Sequence, residues 1–289
     1  IAMALVGDMY SGGTGSKVLG LTEASNGFGK VISPILGAAL ALIIWHAPFF
    51  AFPVFCALSL LMVLFWIKEP KEKAATKQPI RQYLRKIGDI FRGKGRWLIT
   101  SFFAGSLGLF TLFGILFYLS EILEKKPYNL DGIIKGLVLA IPLAGLVITS
   151  YTTGALIKKN GTLMRWLINI GLALSTAALA STLVWNKDHL YLFMTLITLS
   201  SVGTGLLLPC LNTMITGSVQ KSERGMIASL YNSLRFLGVA AGPPLIGMIM
   251  ENSERMVFIL LVSLAGLAFL LVLFLVRPQG NLAKQGAQS

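Results

Sequence analysis

The chain has 289 residues, of which 55% are hydrophobic and 13% charged, against roughly 25% charged residues in soluble domains. That balance sets aside a soluble enzyme or binding module and argues for an integral, all-α polytopic membrane protein. The net charge of +13 does not require nucleic acid, because the basic residues lie in connections between apolar runs, where positive-inside topology accounts for them.

The chain opens with IAMALVG at 1–7, too short to span a bilayer, which reads as the cut end of another helix, and Asp8 follows it. SGGTGSK at 11–17 looks like a phosphate loop but lacks the GK[ST] order and a preceding strand, so a tight cytoplasmic turn is expected there. An apolar run at 20–44 then contains Glu23, Asn26 and Lys30. At about 100° per residue, these share a face with Ser33, Pro34 and Gly37, opposite Leu21, Ala24, Phe28, Val31, Ile32 and Ile35. One face should meet lipid and the other protein or water.

A second span is expected at 49–67, and a long basic connection runs from Lys68 to Arg96. Within it Ile80, Tyr83, Leu84, Ile87, Ile90 and Phe91 recur at helical spacing among Arg81, Arg85, Lys86 and Arg92. The pattern suits a basic amphipathic helix on the inner membrane surface; a solvated linker is the plainer alternative. Six more runs of about 20 residues, enough for the ~30 Å hydrocarbon core, lie at 97–119, 133–157, 163–185, 190–216, 225–250 and 256–276. The tail at 277–289 has too few apolar residues to fold alone and is expected to be disordered.

Alternate connections differ sharply in charge. One set, from Lys17 through the long loop to Lys284, holds eighteen Lys and Arg; the other holds five, Lys125, Lys126, Lys135, Lys187 and Arg255. This places Asp8 and the C-terminus on the cytoplasmic side of the cell membrane. No signal peptide is visible. The sequon Asn160-Gly161-Thr162 falls inside and should not be used, and Cys56 and Cys210, both in apolar runs, read as buried free thiols. His46 and His189 sit in outer connections, so no hydrolytic constellation forms and neither a metal nor a cofactor is expected.

A shift of 209 residues lays Gly29, Ser33 and Pro34 over Gly238, Gly242 and Pro243, and Asn26 over Arg235. Such internal correspondence marks transporters built from structural repeats. The spacing Gly20, Gly29, Ser33-Pro34, Gly37-Ala38 resembles the antiporter motif of helix five in drug exporters of the major facilitator superfamily, with Ser33 and Ala38 in place of glycines. GALIKKNG at 154–161 resembles that family's loop between helices eight and nine, with Lys158 where an aspartate is usual. LPCLNT at 208–213 and RFLGVAAGPP at 235–244 resemble the subset that exports drugs or siderophores.

The resemblance implies eight transmembrane helices equivalent to helices five to twelve of a twelve-helix fold. Residues 1–68 would close the N-terminal half, 69–96 form the cytoplasmic central loop, 97–276 the C-terminal six-helix half, and 277–289 a cytoplasmic tail. The N-terminal helices of the same transporter would be its partner. It further implies that helix five seals against helix eight; Asp8 is read as a conformational latch at the cytoplasmic end of helix four rather than a proton carrier.

The candidate substrate or proton pathway comprises Glu23, Asn26, Asn212, Tyr231, Asn232 and Arg235. An intramembrane charge is costly and normally faces a cavity or a partner, so Arg235 is read as attracting an anionic substrate group or holding a carboxylate ionised, with a structural ion pair as the alternative. Glu23 could exchange protons as its surroundings change, or be an inner-gate or packing contact. Asn212 could equally serve a cavity or an interhelical bond. The expected function is proton-coupled export of a drug-like or siderophore-like small molecule by alternating access, with no enzymatic activity. Import of a sugar or metabolite on the same fold, and a non-transporting membrane assembly protein, are the competing readings.

Overall fold

A computed structural model describes residues 12–66, 80–157, 160–184, 190–217 and 224–276. Among these residues all regular structure is helical: α1 (Gly12–Ala41), α2 (Ala47–Trp66), α3 (Ile80–Glu124), α4 (Gly132–Ile157), α5 (Gly161–Val184), α6 (Leu190–Gly217), α7 (Arg224–Asn252) and α8 (Glu254–Leu275). Seven segments are long and apolar enough to cross a membrane: Gly95–Glu124 of α3, Gly225–Asn252 of α7, and the whole of α2, α4, α5, α6 and α8. The protein is therefore a multi-pass membrane protein. The remaining helix, α1, is 30 residues long, but its polar residues keep it out of that apolar set, so the structure supports seven of the eight expected spans by length and composition.

The long connection contains helix from Ile80 onward, which joins the next span at Gly95. Gly95 has φ 57° and ψ −145°, a backbone conformation available to glycine and strained for other residues. The break lets the first segment turn back onto the bundle. Its Ile90 is buried among Leu98, Phe102, Ile157 and Tyr231, with Phe91 packed on the same cluster, so this part of the apolar face meets protein. Arg85 and Arg92 remain exposed.

Lipid tails are as apolar as leucine, so helices in a bilayer associate through close packing and interhelical hydrogen bonds. Glycine supplies the close approach in each main pairing. A Cβ on Gly205 of α6 would lie 2.7 Å from the Leu146 carbonyl oxygen of α4, and one on Gly203 would lie 3.1 Å from the Ser175 nitrogen of α5. A Cβ on Gly242 of α7 would lie 3.1 Å from the Gly114 nitrogen of α3. Pro209 lacks the N–H that would bond the Gly205 carbonyl four residues back; the Ser150 hydroxyl of α4 donates to that carbonyl instead, at 3.3 Å.

Several local expectations change. Residues 12–17 continue α1 as helix rather than forming a turn. Cys210 is buried as expected, but Cys56 is exposed, because no residue of α2 is buried against the rest of the chain. Asn160 acts as an N-cap: its Oδ1 accepts from the backbone N–H groups of Thr162 and Leu163 at 3.1 and 3.2 Å, tying the sequon to the start of α5. The segment 1–11 with Asp8, the residues Lys158 and Lys159, His189 and the tail at 277–289 lie outside the described residues.

Candidate substrate and coupling site

Tyr231 and Arg235 are one helical turn apart on α7 and therefore share a face. The guanidinium carbon of Arg235 lies 5.3 Å from the centroid of the Tyr231 ring, within range of a cation–π contact. Nη1 of Arg235 donates to Asn232 Oδ1 at 3.3 Å and to Asn212 Oδ1 of α6 at 3.4 Å. Both distances are long for an N–H···O bond. Arg235 is 8% exposed and Tyr231 1%. Eleven residues past Arg224 at ~1.5 Å each, Arg235 sits near mid-depth of the bundle.

Four of the six pathway candidates are thus brought together. Among the described residues the ion pairs are Glu121 with Lys125 and Glu124 with Lys135, and neither involves Arg235. Its Nε is buried without a hydrogen-bond partner, as is the Tyr231 hydroxyl. The interhelical ion pair considered for Arg235 is therefore absent among the described residues, and Asn212 bonds the arginine itself.

The neighbouring helix α3 shapes this cluster. A Cβ on Gly105 would lie 2.7 Å from Cε2 of Tyr231, so only glycine leaves room for the ring. The Ser106 hydroxyl donates to the Leu234 carbonyl at 2.8 Å, and Gly238 packs against the Ser106 carbonyl oxygen, with a Cβ there placed 2.8 Å from Ser106 Oγ. Gly238 and Gly242, picked out by the repeat, thereby hold α7 close to α3 and fix the height of Arg235. Pro243 and Pro244 lie inside the continuing helix. Sequence reasoning did not single out Gly105 and Phe102, whose ring centroid is 5.2 Å from that of Tyr231; neither residue carries a chemical signature of its own.

Asn26 is not among the hydrogen-bond partners of Arg235. Asn26 is exposed on α1, and Glu23 and Gly20 lie in the helical part of α1, their side-chain environments being outside the described residues. Helix α1 packs against α4. A Cβ on Gly27 would meet Cγ1 of Val147 at 2.8 Å, one on Gly136 of α4 would lie 2.9 Å from the Pro34 carbonyl oxygen and 3.0 Å from the Ile35 Cα, and one on Gly132 would meet Leu42 at 3.1 Å. Val31 joins the same seam beside Leu143 and Leu146.

The contact stripe is therefore Gly27, Val31, Pro34, Ile35, Ala38 and Leu42. It includes Val31 and Ile35, which the sequence placed with lipid, and it lies about 100° around the helix from the polar edge. Gly29 and Gly37 have nothing within 4 Å of an added Cβ, and Ser33 is exposed. Of the motif positions, Pro34 and Ala38 make the close approach, and the matching glycine, Gly136, is supplied by α4. The paired positions of the repeat consequently differ: Gly238 and Gly242 are buried in a seam, while Gly29 and Ser33 face open space.

At the end of the seam opposite Gly95, α1, α3 and α4 enclose an open cavity of about 420 Å³. Pro34, Ala38 and Leu42 line one side; Glu124 and Lys135, which pair with each other, line the other with Asp131. On another side of α3, the Tyr118 hydroxyl donates to Glu254 Oε2 at 3.0 Å, joining α3 to α8.

Comparison with known proteins decides the family. The family model described as Major Facilitator Superfamily matches residues 1–185 and 119–289. The chain belongs to the major facilitator superfamily. It is 40% identical over 278 residues to the bacillibactin exporter of Bacillus subtilis (strain 168), covering 96% of this chain and 68% of that protein. It is 29% identical over 252 residues to the multidrug efflux protein YfmO of the same organism, covering 87% and 59%. To the class G tetracycline resistance protein of Vibrio anguillarum it is 25% identical over 253 residues, covering 84% and 61%. The chain thus spans about two thirds of the length of these major facilitator relatives.

Proposed function

We propose that the chain forms the larger part of a secondary active exporter of amphipathic small molecules, driven by a proton gradient and working by alternating access. In this reading the eight helices take the places of helices five to twelve in the cell membrane, with helices one to four of the same transporter as their partner and the C-terminus in the cytoplasm. The substrate path runs past Arg235, Asn232, Tyr231 and Asn212, and Glu23 on α1 exchanges the proton.

The observation that carries the reading is the Arg235 cluster: a cation buried at mid-depth, held by neutral amides. Inserting a charge into the bilayer centre costs several kcal/mol, and a side chain placed there with no counter-ion among the described residues suits a site that a solute completes. The α1 motif and the names of the relatives favour export over import, since those relatives are described as an exporter, an efflux protein and a resistance protein. A reaction catalysed in the bundle has no comparable support.

The test is transport by the complete gene product in proteoliposomes, with and without an imposed proton gradient. Uphill substrate movement should require the gradient, and Glu23→Gln should abolish that requirement or the transport itself. Equal accumulation after the gradient is collapsed, together with an unaffected Glu23→Gln variant, would remove proton coupling.

A further inference from the structure

Resting on the transport reading above, we infer that the Arg235 cluster selects the charge of the substrate: it is a receptor for an organic oxyanion, such as a carboxylate or an ionised phenol, carried on an amphipathic body. The unspent bonding capacity of the cluster argues for this. A guanidinium offers five N–H donors in a planar fork that matches an oxyanion with two parallel bonds. Here Nη1 makes two long contacts, Nε is buried with no partner, and Nη2 takes part in no hydrogen bond among the described residues.

Neutral amide oxygens at 3.3 and 3.4 Å solvate a cation without neutralising it. A buried charge left in that condition is costly, and an arriving anion recovers the cost where a neutral or cationic solute does not. The Tyr231 ring lies 5.3 Å from the guanidinium carbon and restrains it on one side, and Gly105 leaves the space that ring occupies. The Tyr231 hydroxyl is also buried without a partner, against Gly105 of α3.

This predicts discrimination by charge at constant shape. The complete gene product in nanodiscs is titrated with a fluorescent coumarin carboxylate, with its uncharged carboxamide and with its aminomethyl cation, and the same three probes are followed in proteoliposomes. The carboxylate should bind about tenfold more tightly than the amide, the size of effect expected for hydrogen bonds to a charged group. Arg235→Gln should reduce the ratio to about one, and Arg235→Lys should keep part of it. Asn212→Asp, nearly isosteric, puts a carboxylate beside the guanidinium and should also erase the preference, which covers the case in which Arg235→Gln does not fold. A ratio near one in the wild type, or a preference that survives Arg235→Gln or Asn212→Asp, overturns the inference and leaves the export reading intact. Selective binding with no gradient-driven movement of any probe supports the receptor and overturns the export reading instead.

Discussion

The phenol ring of Tyr231 lies against Gly105 with no space for a β-carbon: an added methyl would meet Cε2 at 2.7 Å. Because Arg235 rests on that ring, a residue without a functional group sets the position of the buried cation. Gly105→Ala must displace an aromatic ring in a packed seam, where overpacking costs about 1–3 kcal/mol. The variant should insert normally, melt at a lower temperature and lose transport about tenfold or more. A melting curve and a transport assay on the same preparation check this, and unchanged transport would show that the ring does not position Arg235.

The seam between α1 and α4 makes a second prediction. Gly136 faces the Pro34 carbonyl oxygen and the Ile35 Cα at 2.9 and 3.0 Å from an added Cβ, and backbone atoms cannot swing aside as side chains do. Gly136→Val should therefore separate the two helices, whereas Gly29→Ala and Gly37→Ala, which meet nothing within 4 Å, should leave this seam unchanged. Proton leak through proteoliposomes reads the difference: it should rise for Gly136→Val relative to Gly29→Ala and Gly37→Ala. Equal leak in all three would contradict the assigned contact stripe.

Pro209 and Ser150 should behave as a coupled pair. Ser150→Ala leaves the Gly205 carbonyl without the hydroxyl that bonds it, a loss of about 1 kcal/mol. In a Pro209→Ala background the restored N–H can take up that carbonyl, so the same substitution should cost about half as much or less. A double-mutant cycle on unfolding in lipid measures the coupling; simple additivity would mean that the serine does not compensate for the proline.

Three rings join the Gly95-side helix to the buried arginine. Phe91 is 5.5 Å from Phe102 and Phe102 is 5.2 Å from Tyr231, centroid to centroid. Aromatic pairs of this kind are each worth about 0.5–1.5 kcal/mol beyond their buried area. Phe91→Ala should lower transport severalfold although it lies outside the membrane-spanning part of α3, and Phe91→Tyr, which keeps the ring, should retain most of it. Full transport by Phe91→Ala would show that the linker segment is not coupled to the cluster.

The ion pair of Glu124 with Lys135 should contribute little. It borders the open cavity, with the Glu124 side chain more than half exposed, and exposed pairs are worth about 0–1 kcal/mol. Glu124→Gln should leave the melting temperature within a few degrees of the wild type and make it less sensitive to added salt. A larger destabilisation would mean that the pair holds α3 and α4 together.

What could be read without a structure were the one-dimensional quantities. Run length against bilayer thickness placed seven spans to within a few residues, because every backbone group in lipid must be satisfied inside its own helix. The rarity of intramembrane charge singled out Arg235, and turn spacing grouped it with Tyr231 and Asn232. Asn212 could be named from its place after Pro209, but only tertiary packing brought α6 beside α7 and turned that asparagine into a ligand of the arginine.

Tertiary structure also decided which small residues lie in the seams between the described helices. A glycine's use depends on what faces it, and the sequence lists glycines without their neighbours. Among the described residues an added Cβ on Gly29 or Gly37 meets nothing within 4 Å, while Gly27, Gly105 and Gly136 carry close approaches. Periodicity gave α1 a polar and an apolar side, but in lipid an apolar residue faces a helix or the solvent with equal ease. Periodicity could therefore divide α1 into two sides without choosing the stripe that meets α4.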